Sequence, residues 1–80
     1  MQSELRALKH VWVRVTIDGK RVAERELDAG ARLPLNGRSI VIRAGDPGAV
    51  RVFIDGQDRG LMGETGVAVT RAYTSAAASR

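Results

Sequence analysis

The stretch VWVRVTIDGKRV, Val11 to Val22, decides the fold. Val11, Val13, Val15 and Ile17 fall on alternate positions, the period of a strand with one buried face and not that of a helix. Asp18-Gly19 follows at once. A two-residue Asp-Gly loop suits a type I′ turn, because both central residues need positive φ, which Gly adopts freely and Asp tolerates. The chain then returns as a hairpin partner, with Val22 expected opposite Val15. Leu27 has the opposite parity to Val22, so a bulge or a sheet switch is expected near Glu24 to Glu26.

The same corner is turned again in VFIDGQDRG, Val52 to Gly60, where Asp55-Gly56 follows the alternating Val50, Val52 and Ile54. Two carboxylates in matching contexts invite a catalytic reading. Each has a sufficient conformational reason to be where it is, however, and no third group or cleft accompanies them. Asp18, Gly19, Asp55 and Gly56 are therefore read as structural turn residues.

Working outward, DAG (28–30) and Asn36-Gly37 bracket a short segment whose Pro34 lacks a donor and belongs at a sheet edge. RSIVIRA (38–44) is a β-branched run, GDPG (45–48) a turn, and VAVTRAY (67–73) a last strand after the glycine-punctuated loop GLMGETG (60–66). Six to seven short strands at turn spacings of roughly 8–12 residues predict an all-β fold, a small antiparallel β-sandwich, Ig-like or barrel-like. Residues 1–9 are read as a first strand or a short helix capped at Ser3, 10–73 as the β domain, and 74–80 as a disordered tail.

The 80 residues make one domain with a thin core, which leaves little room for a deep active site. The chain has no cysteine, which excludes disulfides, a thiolate zinc site and a Cys nucleophile. Net charge is +4, and eleven of the thirteen basic residues are Arg, spread along the whole chain as solvated outer positions of strands would be. No apolar run approaches the ~18 residues of a membrane span.

His10, the sole histidine, is read as a strand-end residue, because carboxylates alone make a poor complement to it for zinc. DGQDRG lacks the oxygen run and terminal Glu of a calcium loop. No metal, cofactor or catalytic residue is assigned, and the chain is read as non-enzymatic. Single-stranded nucleic acid binding is the rival that charge suggests, but Trp12, Phe53 and Tyr73 do not cluster on alternating positions of one strand. Trp12 and Phe53 are out of phase with their strands' apolar rows, so each ring points away from the main core. Such rings mark either a face covered by sheet curling or by the N-terminal segment, or a binding patch, and for the patch Trp12 and Phe53 with Leu61 and Met62 form the candidate partner-binding set.

VWVRVTIDGKRV, ELDAG, and the run from Ile40 to Gly66 with the closing strand resemble the extracytoplasmic C-terminal domain of the bacterial cytoskeleton protein RodZ and related membrane-anchored helix-turn-helix proteins. The likeness spans about Leu5 to Tyr73. Its most specific parts are Trp12 to Val15 leading into Asp18-Gly19-Lys20, Leu27 with Ala29-Gly30, Gly45 with Gly48 to Val50, and Gly56 with Gly60 and Gly63. None of these is a catalytic motif.

The resemblance implies a β-sandwich on the periplasmic face of the inner membrane, part of a single-pass protein whose inner helix-turn-helix domain binds the actin-like MreB. The expected role is that of a cell-shape scaffold linking this cytoskeleton to peptidoglycan elongation, with wall-elongation membrane proteins or the cell wall as partners and no nucleic acid for this domain. The chain lacks the helix-turn-helix, the membrane segment and the Pro-rich linker, so it is expected to be a soluble piece of the longer protein. A single-stranded nucleic-acid binder or a cell-wall glycan module is the alternative.

Overall fold

The computed structural model of the chain describes residues 3–75. It is a sandwich of two four-stranded antiparallel sheets built from β1 (Glu4–Ala7), β2 (Val11–Ile17), β3 (Lys20–Leu27), β4 (Arg32–Pro34), β5 (Ser39–Ala44), β6 (Val50–Ile54), β7 (Gln57–Leu61) and β8 (Val69–Thr74). The strand orders are β4-β1-β6-β7 and β3-β2-β5-β8. That is one strand more than the upper count read from sequence. The surplus is β7, whose polar QDRGL carries no apolar alternation.

Alternation does the expected work. Val11, Val13, Val15 and Ile17 are buried, as are Ile40, Ile42 and Ala44 of β5 and Val50, Val52 and Ile54 of β6, so the inner faces of both sheets meet in one core. Each of the Val and Ile side chains contributes about 1.5–3 kcal/mol on burial. The segment before residue 10 is a strand and not a helical turn: β1 lies between β4 and β6 and sends Leu5 and Ala7 into the core. Ser3 is buried and accepts a hydrogen bond from the Asp55 N–H at its Oγ (3.0 Å). Of the tail read at 74–80, Thr74 closes β8 and Ser75 is buried, while 76–80 lie outside the described residues.

Both Asp-Gly turns have positive φ at both central residues, 51° and 82° at Asp18 and Gly19, 53° and 79° at Asp55 and Gly56. The carboxylates also reach beyond their own turns. Asp18 Oδ1 accepts from the Ser39 and Arg38 N–H groups (2.9 and 3.2 Å), fixing the start of β5, and Asp55 Oδ1 accepts from the Ser75 hydroxyl (2.5 Å). The Ser75 N–H donates to the Arg38 carbonyl (2.8 Å), so the two turns share one end of the sandwich.

The hairpin register differs from the reading above. Ala23, not Val22, lies opposite Val15, and the irregularity falls between Arg21 and Ala23, earlier than the expected Glu24 to Glu26. Val22 is the extra residue of this bulge and is 55 % exposed. The bulge restores parity at once, so that Ala23, Arg25 and Leu27 face Val15, Val13 and Val11.

Candidate protein-interaction face

The four candidate residues do not form one patch. Trp12 lies on β2, out of phase with buried Val11 and Val13, and so occupies the outer face of its sheet. Phe53 lies on β6, between buried Val52 and Ile54, on the outer face of the other sheet. The whole core separates the two rings. Leu61 joins Phe53, since it pairs with Arg51 on the same outer face and is 48 % exposed. Met62 is 1 % exposed and belongs to the core, so it is withdrawn from any binding surface. The chain turns inward one residue after Leu61, where the Met62 N–H bonds to the Val50 carbonyl (3.0 Å).

The Phe53 face is built from four strands. Register places Arg32, Arg6, Arg51 and Leu61 in one row across β4, β1, β6 and β7, and Pro34, Glu4, Phe53 and Asp58 in the next. The Arg6 guanidinium lies over the Phe53 ring, 4.3 Å from its centroid, and also pairs with Glu4. Arg51 grips Asp58 through Nε and Nη2 (2.9 and 2.6 Å). That guanidinium, helped by the Gly60 N–H, holds the Asp58 carboxyl below the ordinary carboxylate range. Arg32 has no acidic partner among the described residues. Three cations against two anions leave this face with one positive charge, and it combines Arg, an aromatic ring and an exposed Leu, a composition typical of interface centres.

The Trp12 face has a different character. Arg14 lies 5.4 Å from the Trp12 ring centroid and donates to Glu24 (3.1 Å), which also accepts from Arg21 (2.9 Å), and Arg43 donates to Thr70 (3.0 Å). Arg14 beside Glu24 holds that carboxyl below its ordinary range. Here most polar groups satisfy one another, the buried Arg14 Nε being left without a partner, and Trp12 is a half-buried ring at one end of a hydrogen-bonded lattice. Tyr73 sits elsewhere again: it packs on the core, with Arg59 of β7 over its ring at 5.8 Å, and burial pushes its phenol up.

His10, immediately before β2, is bracketed by two carboxylates. Its Nδ1 is 3.0 Å from Asp28 Oδ1 and its Nε2 meets Glu26, which raises its pKa above the usual histidine range. No group of three or more His, Asp or Glu side chains among the described residues is arranged to hold a metal ion. The protonated ring donates to both carboxylates, so it ties the start of β2 to the end of β3. Because the folded-state pKa is the higher one, this contribution is fully present below the ordinary histidine pKa and is lost as pH rises through the raised value. Melting temperature should therefore fall across that interval more in the wild type than in His10→Ala. Parallel profiles for the two proteins would show that the bracket adds nothing, and high salt should shrink the difference because all three groups are exposed.

Sequence reasoning found Phe53 and Leu61 but not Arg6 and Arg32. Their common face exists only once β4, β1 and β6 are known to be neighbours, and the sole local signal is alternation within a four-residue and a three-residue strand.

Comparison with curated proteins and with solved structures finds no match. A protein-family model does match: that of the RodZ C-terminal domain aligns with residues 4–72, from the first residue of β1 to within two residues of the end of β8. Since that match covers both sheets and nearly the whole chain, this protein belongs to the RodZ C-terminal domain family.

Proposed function

We propose that this domain is the periplasmic part of a membrane-anchored cell-shape scaffold, one that links the MreB cytoskeleton inside the cell to peptidoglycan elongation outside it. It works without catalysis, by presenting a rigid β face to a protein of the wall-elongation machinery. Family membership supports the scaffold role. The observation that carries the choice of face is the Arg6–Phe53 stack beside exposed Leu61, with Arg51 clamped by Asp58 and Arg32 free to meet an acidic group. Such a face is ordered before binding, so little side-chain entropy is lost when a partner docks.

Neither alternative has a comparable feature in its favour. A single-strand binder stacks successive bases on neighbouring rings, whereas the three rings here occupy two opposite outer faces and an edge. A glycan site offers bare aromatic platforms, and each of these rings has a guanidinium over it.

Binding of the domain to purified periplasmic portions of wall-elongation proteins tests the proposal. Phe53→Ala should weaken association by about 2 kcal/mol or more, roughly thirtyfold, with the fold intact because the ring lies outside the core. Trp12→Ala, on the opposite face, should leave affinity within about twofold. Loss of binding with Trp12→Ala and none with Phe53→Ala would move the site to the other sheet and overturn the proposal.

A further inference from the structure

A sandwich of two open sheets has four edge strands, and each edge exposes unpaired backbone groups able to template another strand. Here the edges are β3 and β8 in one sheet and β4 and β7 in the other. Three of them are blunted. β3 carries the Val22 bulge and the charges of Lys20, Arg21, Glu24, Arg25 and Glu26. β4 is three residues long and ends in Pro34. β7 contains Gly60 at φ 80° and pairs irregularly with β6.

β8 has no bulge, no proline and no glycine, and its one charge, Arg71, lies on the inner side with its Nε donating to the Met62 carbonyl. Its six residues pair with β5 in unbroken register. Among the described residues, no backbone group of 69–74 takes part in the bonds made outside the sheet ladders. Thr70, Arg71, Ala72 and Thr74 are all exposed. Thr70 and Ala72 lie opposite Arg43 and Val41 on the outer face, whereas Arg71 and Tyr73 lie opposite Ile42 and Ile40 on the inner side.

The sequence of this edge is complementary to itself. Reversed about Ala72, TRAYT (70–74) sets Thr against Thr, Arg against Tyr and Ala against Ala. Thr–Thr pairs and a guanidinium beside a phenol ring are favourable cross-strand neighbours, and no like charges meet. Centring on Arg71 instead would oppose two guanidiniums. We propose that two copies of this domain pair antiparallel through β8 about Ala72, joining their β3-β2-β5-β8 sheets into one of eight strands. Arg71 of each copy then flanks Tyr73 of the other. With only the five residues 70–74 from each side the interface is below standard size, so the association is weak and becomes visible only at high concentration.

Sedimentation equilibrium of the 80-residue chain from about 10 μM to about 1 mM tests this, a range suited to small interfaces. The average mass of the wild type should climb from 8.6 kDa toward twice that value. Ala72→Lys and Ala72→Glu each place like charges face to face on the two-fold axis and should weaken self-association about tenfold or more. Both substitutions are at an exposed position, so the melting temperature should scarcely move. An equimolar mixture of the two variants should recover dimer, because Lys then meets Glu. A wild type that keeps the monomer mass throughout overturns the proposal. So does either variant associating as the wild type does, and so does a mixture that stays monomeric while the wild type dimerises.

Discussion

Gly37→Ala should destabilise the domain by about 1–3 kcal/mol, a large fraction of the stability available to a chain this short. Gly37 has no positive φ, so the cause is space and not backbone conformation. A Cβ built there falls 2.0 Å from Ile17 Cγ2 and 2.9 Å from Asp18 Oδ2. Ile17 is β-branched and buried at the end of β2, so its methyl has no easy rotamer to move into. Asp18 can yield only by releasing the Arg38 and Ser39 N–H groups, which frees the start of β5 from the first hairpin. Gly45→Ala is the matched control. Its Cβ meets nothing nearer than the Trp12 carbonyl oxygen at 3.7 Å, and a loss of at most about 0.5 kcal/mol is expected, with a slight gain if the unfolded chain is stiffened. Denaturant titrations of both variants give the comparison directly. Equal midpoints would show that the approach of residues 36–38 to the Asp18 turn carries no energy.

The contrast between these two glycines marks the boundary of what the sequence disclosed. Asp18-Gly19 and Asp55-Gly56 were legible because a type I′ turn is a local object: four residues fix it, and the alternating strands on either side name its purpose. Asn36-Gly37 also reads as a turn, but its glycine is required by contact with Ile17, twenty positions away in sequence. The second task of the Asp18 carboxylate, capping β5, was hidden in the same way. The bulge was legible as a parity conflict between Val22 and Leu27, and its position was not. Leaving Val22 exposed costs one apolar side chain, and in return Ala23, Arg25 and Leu27 all match the β2 register.

The candidate face divides along the same line. That Trp12 and Phe53 point away from their strands' inner rows follows from period-2 alternation alone. Whether they point the same way depends on the sheet each strand joins. β2 and β6 belong to different sheets, so two rings with identical local signatures end on opposite sides of the molecule. Arg6 and Arg32 were not singled out because eleven arginines spread evenly look like a solvated background. Only the pairing of β4, β1 and β6 lines up Arg32, Arg6 and Arg51.

Leu61 and Met62 are the sharpest case, because sequence gives them equal standing and the fold separates them completely. Met62→Ala should cost about 2–4 kcal/mol, through lost burial and a cavity in the single core that Met62 shares with the other buried residues, and most molecules of so small a domain would then be close to unfolding. Its neighbourhood can relax little. The Met62 carbonyl accepts from the Arg71 Nε, the Met62 N–H is held by Val50, and Gly63 packs against Pro47, so backbone, β8 and the turn before β6 all pin the site. Leu61→Ala, one residue earlier, should change stability by less than about 0.5 kcal/mol, since its side chain already spends half its surface in water. In the binding assay the order reverses. Leu61→Ala should weaken partner association measurably, while any loss with Met62→Ala should track its unfolded fraction and vanish when affinity is referred to folded protein. Similar stability losses for the two variants would mean that β7 does not end where its pairing with β6 places it. The Phe53 face would then lack the exposed leucine on which its reading depends.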